Sequence, residues 1–413
     1  MGRTLSKEEM DAEVEKGAGN VVRSATFAVL IMALDCALGA RPQDILANLG
    51  KNEAPGFTPD SHWLLSGEPL AFGHMTGDLP AVPENLAKHQ SRNNRALMSV
   101  FNSEPRFREL LDRSDPSRVG IILGTSTSGS EEFADYIRGF RKGEPDPDFR
   151  GEAQELGDPS EFLSAWLSTT GPAYTVSTAC TSSIRAIISG VRLLEAGMID
   201  AAIVGGADTL AKLPINGFDA LQALSHTRCL PFSGIRDGIA IGEAAALLWL
   251  SREPGPIAVR GFGESSDAHH MSAPDPEGEG AEAAIREALQ MAGVTPDAID
   301  YLNLHGTGTK LNDSMEAKAV YRVFGDRVTA SSTKNLTGHT LGAAGAAEAA
   351  LIALLLQNPG SVLPPQLPDS VPADPALPPI SLVSRFTAVS GSLMMSCNFA
   401  FGGSNAALIL GTD

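Results

Sequence analysis

The sequence predicts an α/β fold made of two similar halves. Apolar, β-rich runs alternate with segments of helical periodicity along most of the 413-residue chain, a pattern typical of helices packed against a sheet. Many of the 42 glycines and 27 prolines lie at the ends of these segments, as turns between strands and helices require. Because the second half repeats the rhythm of the first, we expect a duplicated βα unit with the active site between the halves.

The first half is predicted to span residues 24–254, after a polar extension at residues 1–23. Apolar, β-rich runs predict strands at 25–39, 118–124, 173–179, 201–206 and 239–250. Helical spacing of apolar residues predicts helices at 42–49, 95–111, 131–140, 159–167 and 184–194. Residues 51–92 and 143–158 are rich in Gly, Pro or charge, so we expect them to be irregular.

The break Pro254-Gly-Pro256 separates this half from the second, which is predicted to span residues 255–413. Its predicted strands are 257–261, 301–304, 328–331, 393–398 and 405–410. Its predicted helices are 280–292, 313–323 and 341–356, the last of which is rich in alanine.

Charge and cysteine content limit the possible functions. A net charge of −18 argues against nucleic acid as the main partner, because phosphate binding needs a basic face. The four cysteines show no CxxC spacing, so we expect a reducing compartment and neither a disulfide framework nor a zinc site. The apolar runs at 27–34 and 349–356 are too short to span a bilayer, and the first follows an acidic leader. We therefore expect a cytoplasmic protein without a membrane span.

Cys180 lies where a β-rich run gives way to helical periodicity, so we expect it at or near a helix start. The positive end of the helix dipole and free backbone N–H groups favour a thiolate at such a position. A free cysteine is, however, often an inert core residue, and this segment alone does not decide between the two.

Three further segments place polar or glycine-rich residues at the end of a predicted strand, where open α/β sheets bind ligands. They span residues 302–316, 331–348 and 398–405. They contain the motifs His305-Gly-Thr307-Gly-Thr309, Lys334-Asn-Leu-Thr-Gly-His339 and Phe401-Gly402-Gly403-Ser-Asn405. A single histidine at a strand end is more often structural than catalytic. Two such histidines, each beside a glycine that permits close approach, make a shared site with Cys180 the stronger interpretation.

Together with Thr178-Ala-Cys180, these motifs resemble the β-ketoacyl-acyl-carrier-protein synthases, the Cys-His-His condensing enzymes of the thiolase fold. The resemblance runs from about residue 94 to the end of the chain and implies duplicated βαβαβ halves in a five-layer α-β-α-β-α core. Residues 124–129, residues 264–276 and Ala400 further resemble the synthases of bacterial aryl-polyene pigment clusters.

The resemblance implies a role for each matching residue. Cys180 would carry the acyl group, while His305 and His339 would bind the malonyl thioester oxygen as enolate charge grows. Backbone N–H groups of Cys180 and Phe401 would form the oxyanion hole. The remaining residues fall into three groups: Lys334 paired with Glu348 would set the electrostatics; Thr307, Thr309, Gly402, Gly403 and His270 would contact the substrate arm or form its gate; and Asp313 and Glu316 would brace the His305 loop.

The resemblance also implies the partners. We expect no metal and no resident cofactor, because substrates arrive on the phosphopantetheine arm of acyl carrier protein. We expect a homodimer or a heterodimer with a related ketosynthase-like chain. The basic cluster at the end of the 131–140 helix (Arg138, Arg141 and Lys142) is either a docking patch for the acidic carrier or an ordinary solvated helix end.

Three other functions remain possible at this stage. They are a non-condensing partner that sets chain length, a degradative thiolase that uses Cys397, and a cysteine hydrolase. Cys180 with two histidines argues against the first, and the Phe-Gly-Gly-Ser-Asn motif against the second. The hydrolase explains neither the second histidine nor Lys334. The chain also departs from the family at residues 32–39, Ile239 and Ala244, which affects local packing but removes no catalytic group.

Overall fold

A computed structural model describes residues 27–412 except 145, 148, 150, 369 and 384–386. The polar extension predicted for residues 1–23 lies outside these residues. No helix within the described ranges is long and apolar enough to cross a membrane.

The described strands form one large mixed sheet and a separate hairpin. The large sheet has the order β11-β10-β9-β12-β13-β8-β1-β7-β6-β4-β5. Its strands are β1 (Phe27–Asp35), β4 (Val119–Gly124), β5 (Ala173–Val176), β6 (Ala201–Asp208), β7 (Ala244–Ser251), β8 (Ile257–Ser266), β9 (Tyr301–Asn303), β10 (Thr329–Ser331), β11 (Ser381–Leu382), β12 (Leu393–Phe399) and β13 (Ser404–Gly411). The hairpin consists of β2 (Phe57–Asp60) and β3 (Leu70–Gly73).

The strand pairings show the predicted duplication directly. In the first half the order β1-β7-β6-β4-β5 has two antiparallel pairings followed by two parallel ones. In the second half the order β8-β13-β12-β9-β10 repeats this pattern. The two half-sheets meet where residues 27–29 of β1 pair with residues 257–259 of β8. The exact residue limits predicted for the two halves remain a prediction.

Helices cover both half-sheets and also fill the space between them. They are α1 (Pro42–Lys51), α2 (Arg92–Ser103), α3 (Arg106–Asp112), α4 (Ser130–Lys142), α5 (Asp158–Leu167), α6 (Ser182–Glu195), α7 (Lys212–Ala220), α8 (Glu279–Ala292), α9 (Lys310–Phe324), α10 (Lys334–Thr337) and α11 (Ala344–Gln357). One apolar cluster joins α6 and α11 to both half-sheets. A second joins the first half-sheet to α2, α3 and α5, and a third joins the second half-sheet to α8 and α9. These layers form the predicted five-layer α-β-α-β-α core.

The two central helices differ in how much of their surface is buried. On α6, the apolar residues predicted from helical spacing (Ile184, Ile187, Ile188, Val191 and Leu194) are all buried. On α11, every residue except Gln357 is buried. Its small alanine side chains allow both half-sheets and α6 to pack closely around it.

Several predicted elements differ in the structure. The single helix expected at 95–111 is two helices that break at Glu104, because the following Pro105 disfavours a helical conformation there. The sequence analysis missed α7, since Pro214 and Gly217 within it are unfavourable for helices. Residues 51–92, expected to be irregular, contain the β2–β3 hairpin and a 3-10 helix at Glu84–His89.

Candidate active site

Cys180 lies in the tight turn between β5 and α6. The preceding residue, Ala179, has φ +52°, a left-handed conformation that costs a non-glycine residue energy and that is concentrated at functional sites. Gly124 at the end of β4 allows the start of α6 to approach, because a Cβ there would lie 2.3 Å from the backbone nitrogen of Ser183. The thiol is therefore held at a fixed place beside the helix start, and Cys180 is 7% exposed.

His339 contacts the thiol from the loop before α11. Its Nε2 lies 3.0 Å from Cys180 Sγ, and Gly338 precedes it with φ +70°. The backbone N–H of Leu341 donates to Nδ1 at 3.2 Å. Because Nδ1 accepts that hydrogen bond, the ring hydrogen of the neutral imidazole is on Nε2, facing the sulfur.

His305 follows β9 and reaches the same place from the second half-sheet. Its ring lies edge-on to the His339 ring, with centroids 5.2 Å apart. The backbone N–H groups of His305 and Gly306 donate to the two carboxylate oxygens of Glu316 at 2.6 and 2.7 Å. Burial raises the pKa of Glu316 to about 8, although these two hydrogen bonds lower it. The loop is thus held by its backbone, which leaves the imidazole free for chemistry.

Asp313 supports the same loop from α9. Its carboxylate accepts the backbone N–H groups of Phe232 at 2.8 Å and Gly308 at 3.2 Å, and Arg236 Nε lies 3.6 Å away. Asp313 and Glu316 therefore lie where a bracing role needs them.

Lys334 and Glu348 form a buried ion pair behind the histidines. Lys334 Nζ lies 2.5 Å from Glu348 Oε1, and the two side chains are 1% and 4% exposed. Asn398 Nδ2 donates to the other carboxylate oxygen at 2.8 Å. The pair predicted from the sequence therefore forms, with an amide partner that the sequence analysis did not identify.

Burial keeps all three reactive groups neutral, and the Lys334 charge adds to this effect for the two histidines only. Burial lowers the pKa values of His305 and His339 well below their ordinary value, and the positive charge of Lys334 lowers them further. Burial raises the pKa of the Cys180 thiol to about 11, while Lys334 and the backbone N–H groups of Phe401 and Cys180 act in the opposite direction. The expectation that the helix start favours a thiolate was therefore wrong for the resting site, because the desolvation of the sulfur outweighs it.

The same two N–H groups, of Phe401 and Cys180, are close enough to the sulfur to lower the pKa of the thiol. They are the donors expected for an oxyanion hole. Since both are backbone groups, their positions depend on the turn before α6 and on the loop between β12 and β13.

A cavity of about 530 Å³ leads from the surface to Cys180, His305 and His339. Thr307 and Thr309 also line it, with hydroxyl oxygens 3.0 Å apart. These two threonines, predicted to hold the substrate arm, therefore lie on the path to the thiol.

Phe401 lines the cavity at the position predicted for a gate. It is 40% exposed, and its ring lies 5.7 Å from that of Phe218. Gly402 and Gly403 follow with φ values of +85° and +77°, and no atom lies within 4 Å of a Cβ placed on Gly402. The loop therefore has space beside it.

His270 does not join this group. It is exposed, and it is absent from the cavity lining. Its Nδ1 accepts the backbone N–H groups of Ser272 and Ala273 at 3.1 and 3.2 Å. His270 thus shapes the turn that brings Ser272 and Ala273 to the cavity, which differs from the direct substrate contact expected from the sequence.

Cys180, His305 and His339 also form a group with metal-ligand geometry, since their ligand atoms lie within 4.8 Å of one another. The Lys334 charge that lowers the pKa values of both histidines also opposes a second cation at this place. The expectation that no metal binds remains a prediction.

Comparison with known proteins identifies the family. The N-terminal domain model of the β-ketoacyl synthases matches residues 108–254, and the C-terminal domain model matches residues 257–368. The chain belongs to the β-ketoacyl synthase family. The predicted enzyme class, an acyltransferase of the 3-oxoacyl-[acyl-carrier-protein] synthase type on a thiolase-like fold, is thereby confirmed.

Curated relatives of this β-ketoacyl synthase include two named 3-oxoacyl-[acyl-carrier-protein] synthase 2. The Rhizobium meliloti protein is 38% identical over 321 residues, which cover 72% of this chain and 74% of the relative. The Staphylococcus aureus protein is 35% identical over 365 residues, which cover 81% and 89%.

Among solved structures, a chain of the ketosynthase ApeO in complex with its chain length factor ApeC, from Xenorhabdus doucetiae, superposes with a TM-score of 0.91. It is 48% identical, and the match covers 95% of this chain and 100% of that one. A chain of the ishigamide ketosynthase/chain length factor has a TM-score of 0.84 and 26% identity, with coverage of 94% and 100%.

The structure also positions the residues behind the alternative functions. Cys397 lies within β12, fully buried, and burial raises its pKa well above the ordinary value. It does not line the cavity, so this β-ketoacyl synthase has one thiol at its site and a second-cysteine thiolase mechanism lacks its nucleophile. In the basic cluster, Arg138 already pairs with Glu131 and Asp135, whereas Arg141 and Lys142 are exposed.

The supporting roles of two residues were not predicted from the sequence, although Asn398 opens the third segment singled out above. Asn398 holds Glu348, and Asp208 accepts hydrogen bonds from the loop after β4 and from the turn before α11. Both are polar residues at or near the end of a buried strand. The same signal that selected His305 was therefore present for both.

Proposed function

We propose that this β-ketoacyl synthase condenses an acyl group carried on Cys180 with malonyl-acyl carrier protein, giving 3-oxoacyl-acyl carrier protein and CO2. The observation that carries the proposal is one thiol and two neutral imidazoles, held together at the inner end of a cavity. A hydrolase needs only one of those imidazoles, and a non-condensing partner needs no nucleophile.

The acyl group is transferred first. Cys180 Sγ attacks the carbonyl carbon of the carrier-bound thioester, and the N–H groups of Cys180 and Phe401 stabilise the oxyanion that forms. The carbon–sulfur bond to the pantetheine arm then breaks. Because the resting Cys180 is a thiol, its proton leaves with the departing pantetheine sulfur.

Decarboxylation follows when the malonyl thioester occupies the cavity. The bond between its carboxylate and Cα breaks, CO2 leaves, and the electron pair moves into an enolate. The Nε2–H of His339 donates to the thioester oxygen as this charge grows, and His305 lies beside it. Neutral imidazoles with low pKa values remain hydrogen-bond donors without becoming fully protonated, and the Lys334 charge stabilises the enolate.

Carbon–carbon bond formation completes the cycle. The enolate carbon attacks the acyl carbonyl on Cys180, again within reach of the two backbone N–H groups. Collapse of the tetrahedral intermediate expels the Cys180 thiolate, which takes up one proton from the solvent and returns to its neutral resting state.

The cavity suits a substrate delivered on a long arm. Thr307 and Thr309 line its length and present hydroxyls to an amide-containing chain. The enzyme would therefore need no resident cofactor. Cys36, Cys180, Cys229 and Cys397 are all free thiols, which fits the reducing cytoplasm as its location.

A second, ketosynthase-like chain would complete the assembly. β5 pairs with β4 along one edge, and its other edge has no neighbour in the sheet order of the described strands. Tyr174 on β5 is 36% exposed. An open strand edge of this kind pairs readily with a strand of another chain, and both structural relatives named above are assemblies with a chain length factor.

The proposed pathway is aryl-polyene chain elongation. It rests on the segments 124–129 and 264–276 and on Ala400, which lines the cavity beside the gate, and on the 48% identity to a chain of the ApeO–ApeC complex. Fatty acid elongation uses the same chemistry and is the competing assignment.

Reconstitution tests the reaction. The purified enzyme, alone and with a chain-length-factor-like partner, is supplied with an acyl-carrier protein and malonyl-carrier protein. Release of CO2 and mass spectra of the carrier-bound product are then followed. We expect 3-oxoacyl product from the wild type and none from Cys180→Ala. Cys36→Ala is the matched control, since Cys36 is also a buried free thiol but does not line the cavity. Full condensation by Cys180→Ala would overturn the mechanism.

Intact-protein mass spectrometry separates the pathways. Aryl and alkyl starter groups are offered on the carrier, and the acyl mass trapped on Cys180 identifies the accepted class. Exclusive trapping of saturated alkyl groups would favour fatty acid elongation over the aryl-polyene assignment.

A further inference from the structure

Asp208, the last residue of β6, is a fully buried carboxylate that the reaction steps above do not use. Its hydrogen-bond partners are hydroxyl and backbone N–H groups. Burying a carboxylate costs free energy of folding unless hydrogen bonds replace the lost contacts with water.

The carboxylate connects two loops from opposite halves of the fold. On one side it accepts the backbone N–H groups of Ser126 and Thr127, each at 2.9 Å, and the hydroxyl of Ser126 at 2.6 Å. On the other side its Oδ2 accepts the backbone N–H of Gly342 at 2.5 Å. Asp208 is therefore the link between the loop after β4 and the turn before α11.

That turn has an unusual backbone. Leu341 has φ +51°, a left-handed conformation that is strained for a leucine and persists only when its surroundings hold it. Gly342 has to be a glycine, because a Cβ would lie 2.7 Å from Asp208 Oδ2. The hydrogen bond from Gly342 to Asp208 thus holds the strained turn closed.

The strained residue is the one that orients the catalytic histidine. Leu341 N–H donates to His339 Nδ1, and this contact places the ring hydrogen on Nε2, toward Cys180. We propose that Asp208 is a positioning residue, which holds the Leu341–Gly342 turn so that His339 keeps its Nε2–H tautomer. The effect of Asp208 on the His339 tautomer is independent of the proposed function, whereas an effect of Asp208 on condensation rests on that function.

Asp208→Asn is the sharpest perturbation, since it keeps the shape of the side chain. The amide –NH2 would face the backbone N–H of either Gly342 or Thr127, so one of these donors would lose its bond to residue 208. In the first case Gly342 N–H would keep only the longer bond to Ser126 Oγ, at 3.2 Å. We expect the turn to relax and the Nδ1–H tautomer of His339 to become populated. In the reaction, kcat for CO2 release should fall by about tenfold to a hundredfold while KM for the malonyl carrier stays unchanged.

The tautomer is measured by ¹⁵N NMR of the ring nitrogens in ¹⁵N-histidine-labelled enzyme, with His339→Asn to assign the signal among the eight histidines. Asp200→Asn is the matched control. Asp200 immediately precedes the same strand and forms an exposed ion pair with Arg118, so its loss should leave tautomer and kcat unchanged. Ser126→Ala removes one donor to the carboxylate and also the second acceptor of the Gly342 N–H, Ser126 Oγ at 3.2 Å. It should shift both quantities in the direction of Asp208→Asn, by about threefold in kcat.

The NMR and CO2-release measurements test the positioning role of Asp208 and the proposed condensation reaction separately. A His339 signal that stays Nε2-protonated in both Asp208→Asn and Ser126→Ala overturns the positioning role. If Asp208→Asn does not fold, Ser126→Ala decides on the same criterion. A wild-type enzyme that releases no CO2 overturns the proposed function, and the tautomer measurement still tests Asp208.

Discussion

The buried pair Lys334–Glu348 gives the most demanding test of the site's electrostatics. Replacing Lys334 with Met removes the cation and leaves Glu348 in the core with only Asn398 as a partner. Breaking a buried ion pair by removing one partner costs about 3–5 kcal/mol, because the remaining charge is desolvated without compensation. We expect a loss of that size in the free energy of unfolding for Lys334→Met at neutral pH.

A double-mutant cycle separates the pair from its surroundings. Lys334→Met with Glu348→Gln leaves a neutral amide that still bonds to Asn398, so the double variant should recover about 2 kcal/mol relative to the sum of the single variants. The assay is denaturant unfolding followed by circular dichroism. Asp297→Asn is the matched control: the Arg327–Asp297 pair has a similar separation, 2.7 Å, but its side chains are 60% and 68% exposed, so its loss should cost less than about 1 kcal/mol.

The cycle also separates stability from catalysis. The double variant should fold well and condense slowly, because no charge remains to stabilise the enolate or to lower the histidine pKa values. Two results would contradict this role of the ion pair: a loss of stability in Lys334→Met no larger than in Asp297→Asn, or condensation by the double variant at the wild-type rate.

Three further predictions follow from the same geometry. With a thiol pKa of about 11, the rate of Cys180 alkylation by iodoacetamide should rise about tenfold per pH unit between pH 7 and 10, and a rate that is flat over this range would contradict a neutral resting thiol. His305 stays neutral in the folded enzyme but becomes protonated in the unfolded chain below about pH 6.5, because burial lowers its pKa in the fold. As pH falls below about 6.5, the free energy of unfolding of the wild type should therefore decrease by about 1.4 kcal/mol per pH unit relative to that of His305→Asn. Parallel pH profiles of the two proteins would count against the lowered pKa. Charge reversal at Arg141 and Lys142 should weaken carrier-protein binding if they form the docking patch, and an unchanged affinity by calorimetry would dismiss that role.

The spacing of apolar residues predicted most of the fold, because this spacing is set locally by whether a segment is a strand or a helix. The alternation of apolar runs with helical segments located the described strands of the large sheet except the short β11, and the apolar spacing on α6 matches its buried face. It failed where a local signal and the tertiary environment disagree. Pro214 and Gly217 are poor helix formers, yet α7 forms, since the hydrogen bonds of Asn216 to its neighbours and packing on α4 compensate.

The ionisation states and tautomers of the site residues were harder to predict than which residues form the site. The residue types at the strand ends identified Cys180, His305 and His339 together, but no local pattern reveals how deeply a side chain is buried. The ionisation state of Cys180 follows from that burial, so the helix-dipole argument gave the wrong direction. In the same way, the tautomer of His339 depends on the φ angle of Leu341, which no residue type in the segment indicates.

The duplication explains why these groups meet at all. Equivalent helices in the two halves, α6 and α11, lie side by side in the central layer, and the loop before each one reaches the site: Cys180 precedes α6 and His339 precedes α11. The equivalent strands β4 and β9 end in Thr125-Ser126-Thr127 and in the His305 loop respectively. One half therefore contributes Cys180, and the other contributes both imidazoles. The packing of α6 against α11 holds the two halves together, and the hydrogen bond between Gly342 and Asp208 adds a second link close to His339 in the chain. The effect expected for Asp208→Asn follows from this second link.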